Sequence, residues 1–424
     1  MDQTAQTAVE KATPRIHYGI IVLAMIVLAV FGGLGLARFG YTSILPAMQD
    51  SLKLTNTQTG ELQSWNLVGY LLTVVFAGVL AARYGPRIVI SISLLIVALA
   101  MIATGLFPVF DAARLGRFFG GVGGAGANVP AMALVSAWFG AKRRGIAAGI
   151  AVAGSSVGLM VTGPLVPAIL NQYGADGWRV SWYVLGALAL VVFVLCVLFL
   201  RNRPDEMGLT PVGDSAAESS QRSAEKKVSS LDWGLVYKSG TLWHLAVIYL
   251  AFGFSYIIYS TFFVRYLVKE GGFSAGDAGT LWLQIGVVTT ISGFIWGGVS
   301  DRWGRRAALL GVFALQGLSF LVFGLSRDLP AVYLSSALFA VTAWSIPALM
   351  AALSGDLFGA RLAPAALGLL TIVFGIGQAI GPYLAGAIAD ATQSFALAFV
   401  IAGVVALVLG VGGSLMLRTS KSNP

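Results

Sequence analysis

Twelve apolar blocks, most of them about 20 residues or longer, dominate this chain. Their approximate limits are 18–46, 61–82, 87–107, 113–138, 145–169, 178–200, 241–268, 277–299, 307–326, 330–355, 364–388 and 394–417. A helix rises about 1.5 Å per residue, so such a block crosses about 30 Å of hydrocarbon. Lipid offers the backbone no water, and a helix satisfies its own N–H and C=O groups. Composition argues against a soluble alternative: 57% of residues are hydrophobic, 11% are charged and the mean hydropathy is +0.83. Soluble domains carry about 25% charged residues, and one core cannot hide so much apolar surface. The expected fold class is an all-α membrane protein with twelve transmembrane helices. The 53 glycines fit close helix approach, because packing replaces the hydrophobic effect inside a bilayer.

The polar stretch 201–240, rich in Ser, Glu and Lys, reads as a solvated linker. It separates a six-span bundle, 1–200, from a second, 241–424. An even span count puts both termini on one side. That side would hold Lys11, Arg15, Arg83, Arg87, Lys142, Arg143, Arg144, Arg201, Arg203, Arg222, Lys226, Lys227, Lys238, Arg302, Arg305, Arg306, Arg361, Arg418 and Lys421. The other would hold Lys53, Arg114, Arg117, Arg179, Arg265, Lys269 and Arg327. This bias makes the termini cytoplasmic. The net charge of +9 is then a topology signal, not a nucleic-acid signal. The single cysteine, Cys196, allows no disulfide within the chain. The polar N-terminal tail and long first block do not read as a cleavable signal peptide.

The two bundles repeat. The run Gly78-Val-Leu-Ala-Ala-Arg83-Tyr-Gly85-Pro-Arg87 aligns with Gly297-Gly-Val-Ser-Asp301-Arg302-Trp-Gly304-Arg305-Arg306 at an offset of 219 residues. The same offset pairs Thr42 with Thr261, Gly60 with Gly279, Phe139 with Phe358 and Gly149 with Gly368. Two bundles related by an axis along the membrane normal place a binding site at their interface near mid-membrane.

The segment Gly297 to Arg306 resembles the loop motif of the major facilitator superfamily, in residues and in position between spans 8 and 9. The first copy departs from it, with Ala82 in place of the Asp. Three stretches are similar to the oxalate/formate antiporter and monocarboxylate porter branch: Ile16-His17-Tyr18-Gly19, Trp138-Phe139-Gly140-Ala141-Lys142-Arg143-Arg144-Gly145, and Asn202-Arg203-Pro204-Asp205-Glu206-Met207-Gly208-Leu209. The run Ala37-Arg38-Phe39-Gly40-Tyr41-Thr42 to Pro46 resembles an uncharacterised bacterial group of the superfamily. The resemblance covers nearly the whole chain. It implies alternating access in a bacterial inner membrane, with spans 1, 4, 7 and 10 lining the pathway. Monocarboxylate porters carry an Arg within span 8; here Thr280 to Gly297 contains no basic residue.

Arg38 is the most informative residue. A charge in an apolar helix costs about 2.5–3.5 kcal/mol on insertion scales unless it faces protein or water. No mid-membrane carboxylate offers itself as a partner, which points to an anionic substrate; a purely structural cap is the competing reading. Tyr41, Asn66, Asn128, Tyr256, Tyr259, Gln284, Trp344 and Gln378 complete the candidate site. Each alone is as compatible with an interhelical hydrogen bond. Arg117 heads a stretch similar to the superfamily's span 4 motif, linked there to proton coupling. Gly78, Arg83, Gly85, Arg87, Gly297, Asp301, Arg302, Gly304, Arg305 and Arg306 are candidate conformational residues, with Asp301 a latch between the halves. Gly163-Pro164 and Gly381-Pro382 are candidate bends. Arg114 and Arg265 read as interfacial, as do His17 and His244. No metal cluster, nucleophile constellation or phosphate loop is visible, so neither an enzyme nor a cofactor is expected. The expected function is secondary transport of a small organic anion, a monocarboxylate by resemblance. Proton symport and anion exchange both remain, and the protein is expected to act as a monomer. Efflux of hydrophobic or cationic compounds is the alternative; it would call for a membrane-embedded acid facing the pathway.

Overall fold

The computed structural model describes residues 17–214 and 237–417, without the side chains of residues 360 and 361. Lys11, Arg15, Arg222, Lys226, Lys227, Arg418 and Lys421 of the charge pattern, with the middle of the linker, lie outside the described residues. The helices are α1 Tyr18–Leu52, α2 Asn56–Tyr84, α3 Pro86–Leu106, α4 Phe110–Trp138, α5 Ala141–Tyr173, α6 Gly177–Phe199, α7 Gly240–Lys269, α8 Ala275–Trp303, α9 Arg305–Leu325, α10 Leu329–Gly359, α11 Leu362–Thr392 and α12 Ala396–Met416. Helices α5 and α6 form one apolar stretch of 59 residues, broken by a short turn at Gly174–Asp176. The twelve helices run several residues past the apolar blocks at many ends, because polar end turns continue the same hydrogen-bond ladder.

Local chemistry sets the helix ends, and sets them twice. Thr55 starts α2 with a capping box to Gln58, and Ser274, at the 219 offset, caps α8 through the Asp277 N–H. Gly85 (φ +86°) ends α2, and its repeat mate Gly304 (φ +90°) ends α8. Only glycine adopts such φ values without strain.

Helices α1–α6 and α7–α12 form two bundles. They meet along α2 against α11, α5 against α8, and α1 against α7. The face carrying Tyr18 and Met416, the first and last helical residues described, is the terminal face. At the opposite face the bundles are in intimate contact. A Cβ added to Gly60 would collide with the Pro382 carbonyl, and one on Gly279 with the Gly163 carbonyl. The offset carries Gly60 onto Gly279 and Gly163 onto Pro382, so these are one contact seen twice.

Polar groups reinforce this seal. Asp390 of α11 accepts from the Asn56 N–H (2.9 Å), the Thr57 N–H (2.8 Å) and the Thr57 hydroxyl (2.6 Å) at the start of α2. Arg265 donates to Gln49 (3.1 Å) and Asn56 (2.9 Å) and pairs with Glu270 (2.5 Å). Lys269 pairs with Asp50, its own repeat mate. Toward the terminal face, contact thins to single side chains, Phe294 against Gly149 and Leu71 against Gly375. Around Gly78, Gly145, Gly297, Gly298 and Gly359 an added Cβ would meet nothing within 4 Å.

The described start of the linker is tied to the first bundle. Val212 exchanges backbone hydrogen bonds with Trp138 (2.8 Å) and Gly140 (3.1 Å), the Trp138 indole donates to the Arg201 carbonyl (3.0 Å), and His17 bonds the Thr210 carbonyl (3.1 Å). Asn202 accepts from the Arg87 N–H (2.9 Å). The three branch-like stretches of the sequence therefore meet one another in space.

Candidate functional site

The backbone at Arg38 is not an ordinary α-helix. Residues Phe31–Phe39 wind as a π-helix. Its wider turn accompanies a close three-way crossing. A Cβ on Gly35 would lie 2.9 Å from the Gly158 Cα of α5, and one on Gly33 3.1 Å from the Ala127 Cβ of α4. Short π segments mark functional sites more often than chance. Across the interface α10 is also interrupted, at Val341–Trp344. Irregular backbone at membrane depth persists where protein or a polar space supplies hydrogen bonds. These two breaks flank one cluster.

At its centre lies Arg38, 7% exposed. Its guanidinium carbon sits 4.5 Å above the Tyr70 ring, a cation–π contact. It forms no ion pair among the described residues, and its Nε and Nη2 have no hydrogen-bond partner there. Burying an unpaired charge costs several kcal/mol, roughly, unless something pairs with it. Around it stand two tyrosine–amide pairs, one from each bundle. The Asn128 amide donates to the Tyr70 hydroxyl (3.0 Å), and the Gln378 amide donates to the Tyr256 hydroxyl. Tyr256 faces Arg38 across the interface. The Tyr256 hydroxyl accepts from Arg38 as well, and each hydroxyl still has a proton to donate. Trp344 stands edge-on to Tyr256 at 6.2 Å and packs on Phe39 at 5.4 Å, while its indole N–H donates to Ser156 (3.1 Å).

Thus the structure brings together Arg38, Asn128, Tyr256, Trp344 and Gln378. The other expected site residues lie elsewhere. Tyr41 is buried in the first bundle and donates to the Thr59 carbonyl (2.8 Å). Asn66 donates to the Arg117 carbonyl (2.9 Å), bracing α2 on α4. Tyr259 is locked in an aromatic core by Ser335 (2.9 Å) and rings from Phe263 to Phe339. Gln284 is exposed on the outside of α8. Helical spacing alone could not tell these bundle-facing positions from interface-facing ones. Tyr70 and Ser156 were not anticipated. The repeat held a signal for Tyr70, because the offset carries it onto Thr289, which bonds Ser156 across the interface at 2.9 Å.

Arg117 is also corrected. It does not belong to the opposite face but is 2% exposed inside the first bundle. It donates to the Ala37 carbonyl and Gln63, under the Tyr41 ring at 4.5 Å. Both of its terminal nitrogens go to fixed protein groups, whereas Arg38 leaves Nε and Nη2 open.

Nor does the Asp301 latch bridge the bundles. Arg305 pairs with Asp301 (2.8 Å) and Asp356 (2.9 Å), all in the second bundle. Arg306 caps the Leu415 carbonyl, Arg302 is exposed, and Arg83 lies over Tyr84 (5.3 Å). His244 bonds the Gly413 carbonyl (2.8 Å), and Arg114 pairs with Glu61 (3.2 Å). The described residues contain no group of His, Cys, Asp and Glu suited to a metal.

A family model described as "Uncharacterised MFS-type transporter YbfB" matches residues 29–414. The chain belongs to the major facilitator superfamily. It is a multi-pass membrane transporter and not an enzyme, by family and fold. It is 27% identical over 394 residues to the "Probable sulfoacetate transporter SauU" of Cupriavidus necator, covering 88% of each chain. It is also 27% identical to "Monocarboxylate transporter 2" of Mesocricetus auratus, over 80% of this chain and 73% of that one. In fold it matches a bacterial homolog of the human lysosomal transporter Spinster, solved inward-facing and unoccupied. That match has a TM-score of 0.76 at 19% identity, and covers 94% of this chain and 96% of the other.

Proposed function

We propose that this facilitator carries a small organic anion, of the monocarboxylate kind, between its bundles by alternating access. One observation carries the reading: Arg38 is buried at the interface with open donors and no protein anion beside it. A carboxylate would pair with its fork and take further hydrogen bonds from Tyr70 and Tyr256. Bonds to charged groups contribute about 1.5–3 kcal/mol each. The relatives support the broader class of small organic anions, since a sulfoacetate and a monocarboxylate transporter are among them. Efflux of cations is disfavoured, because a buried cation repels them and the described site holds no acid.

The site is completed by two bundles of one chain, which suits a functional monomer. With cytoplasmic termini in a bacterial inner membrane, as the charge bias indicates, the sealed face is external and this state is inward-facing. Coupling runs by proton symport or by anion exchange. Uptake driven by an imposed pH gradient marks the first, and uptake needing internal anion marks the second.

The test is Arg38→Ala in proteoliposomes, with Arg38→Lys beside it. Alanine should lower anion counterflow at least a hundredfold with the protein still monodisperse, and lysine should recover part of it. Alanine transport at the native rate would remove the anchor.

A further inference from the structure

Building on the anion-anchor reading, we infer that the preferred substrate is a planar aromatic monocarboxylate. The charge census limits the anion to one group. Among the described residues of the site Arg38 leaves two donor nitrogens open, Nε and Nη2, whereas Arg117 behind it has both terminal nitrogens bonded, to Ala37 and Gln63, and only its Nε open. The hydrogen-bonding groups gather at that same end, in the Tyr70–Asn128 and Tyr256–Gln378 pairs. Beyond them the second bundle carries a stack of rings, with Tyr249, Phe252 and Tyr256 each at most 3% exposed and Phe374 packed on them partly buried.

These rings share one orientation. Tyr256 lies 7° from the plane of Phe374 and 13° from that of Phe252. Phe374 in turn stacks on Tyr249 at 4.4 Å and 13°. Trp344 closes the set at 80° to Tyr256, and Phe39 of α1 packs on Trp344. Near-parallel faces ending on a perpendicular indole, with a cation at one edge, match a flat body bearing one carboxylate. A flat ring extends such a stack by offset or edge-to-face contact, which a saturated ring cannot copy. A sugar acid would set its hydroxyls against these rings and lose their hydrogen bonds to water. A dicarboxylate would bury a second charge without a cation.

The experiment is ligand-induced thermal stabilisation of the purified full chain, titrated with benzoate, cyclohexanecarboxylate, lactate, glucuronate and terephthalate. Benzoate is expected to bind at least tenfold tighter than each of the others. Phe374→Leu, which keeps apolar bulk without a ring, should reduce the benzoate-over-cyclohexanecarboxylate ratio to within threefold. Lactate, glucuronate, terephthalate or cyclohexanecarboxylate binding as well as benzoate, with loss in Arg38→Ala, overturns the aromatic preference and leaves the anion anchor standing. An unchanged ratio in Phe374→Leu overturns the stacking assignment in the same way. Benzoate binding equally to Arg38→Ala, or no binding by any of the five, overturns the anchor itself.

Discussion

The two bundles share helix order, caps and sealing contacts, and differ in content. The offset that carries Gly60 onto Gly279, and the Thr55 cap onto the Ser274 cap, also carries Arg38 onto Ile257. The first bundle holds the open charge; the second holds the aromatic wall. Acids are uneven too. Asp301 of the second bundle replaces Ala82 of the first, and Asp390 replaces Asn171. The close glycine contacts and helix caps are thus kept in both copies. The features that the proposed function assigns to the ligand, and the uneven acids, occur in one copy alone. On the proposed mechanism, symmetry is a requirement of the motion and not of the substrate.

Breaking the shared part should cost most. Gly60→Val and Gly279→Val each drive a side chain into the carbonyl of the opposing helix. Overpacking costs about 1–3 kcal/mol, here charged only to the sealed state. Both variants should lose closure of this face and at least tenfold in transport, read by spin-label distances across it. If one variant closes normally, the two contacts are not equivalent and the comparison fails.

The next effect tests an uneven acid. Asp390→Ala removes three hydrogen bonds at the start of α2, two of them from backbone N–H groups at a helix N-terminus. It should raise the population open at this face about tenfold or more. The check is the labelling rate of a Thr57→Ser, Gln58→Cys reporter with and without the substitution. Unchanged labelling would make Asp390 ornamental.

The smallest effect belongs to Asp301→Ala. Asp301 is 74% exposed and its partner Arg305 keeps Asp356. The loss should be under about 1 kcal/mol of stability, with a melting shift near the limit of detection. A large change in transport at unchanged stability would show that Asp301 works in a state where the bundles meet at the terminal face.

Sequence patterns revealed the architecture more fully than the site. Hydropathy and the repeat sufficed for twelve helices in two bundles, since apolar length and the offset are properties of the chain itself. Arg38 was legible because a lone charge in an apolar helix has few structural explanations. Tyr41 and Tyr259 were not separable from Tyr256, although all three are tyrosines on membrane helices. Which way each faces depends on the rotation of its helix. For α1 that rotation is altered by the π turns at Phe31–Phe39, which no residue spacing announces. Position near the start of α4 marks Arg117 as an outer-end charge in the sequence, but its side chain turns inward to the Ala37 carbonyl.

Arg38 has one more consequence, and it is electrical. On the proposed alternating-access reading, a fixed positive site that is exposed first to one side and then to the other moves charge through the membrane field as the carrier turns. The field contributes about 2.3 kcal/mol per charge per 100 mV. An inside-negative potential therefore draws the empty carrier toward its inward-facing state. A bound monoanion cancels the charge, and the loaded carrier turns almost free of the field. Voltage should then act on the return of the empty protein and spare exchange between two loaded states.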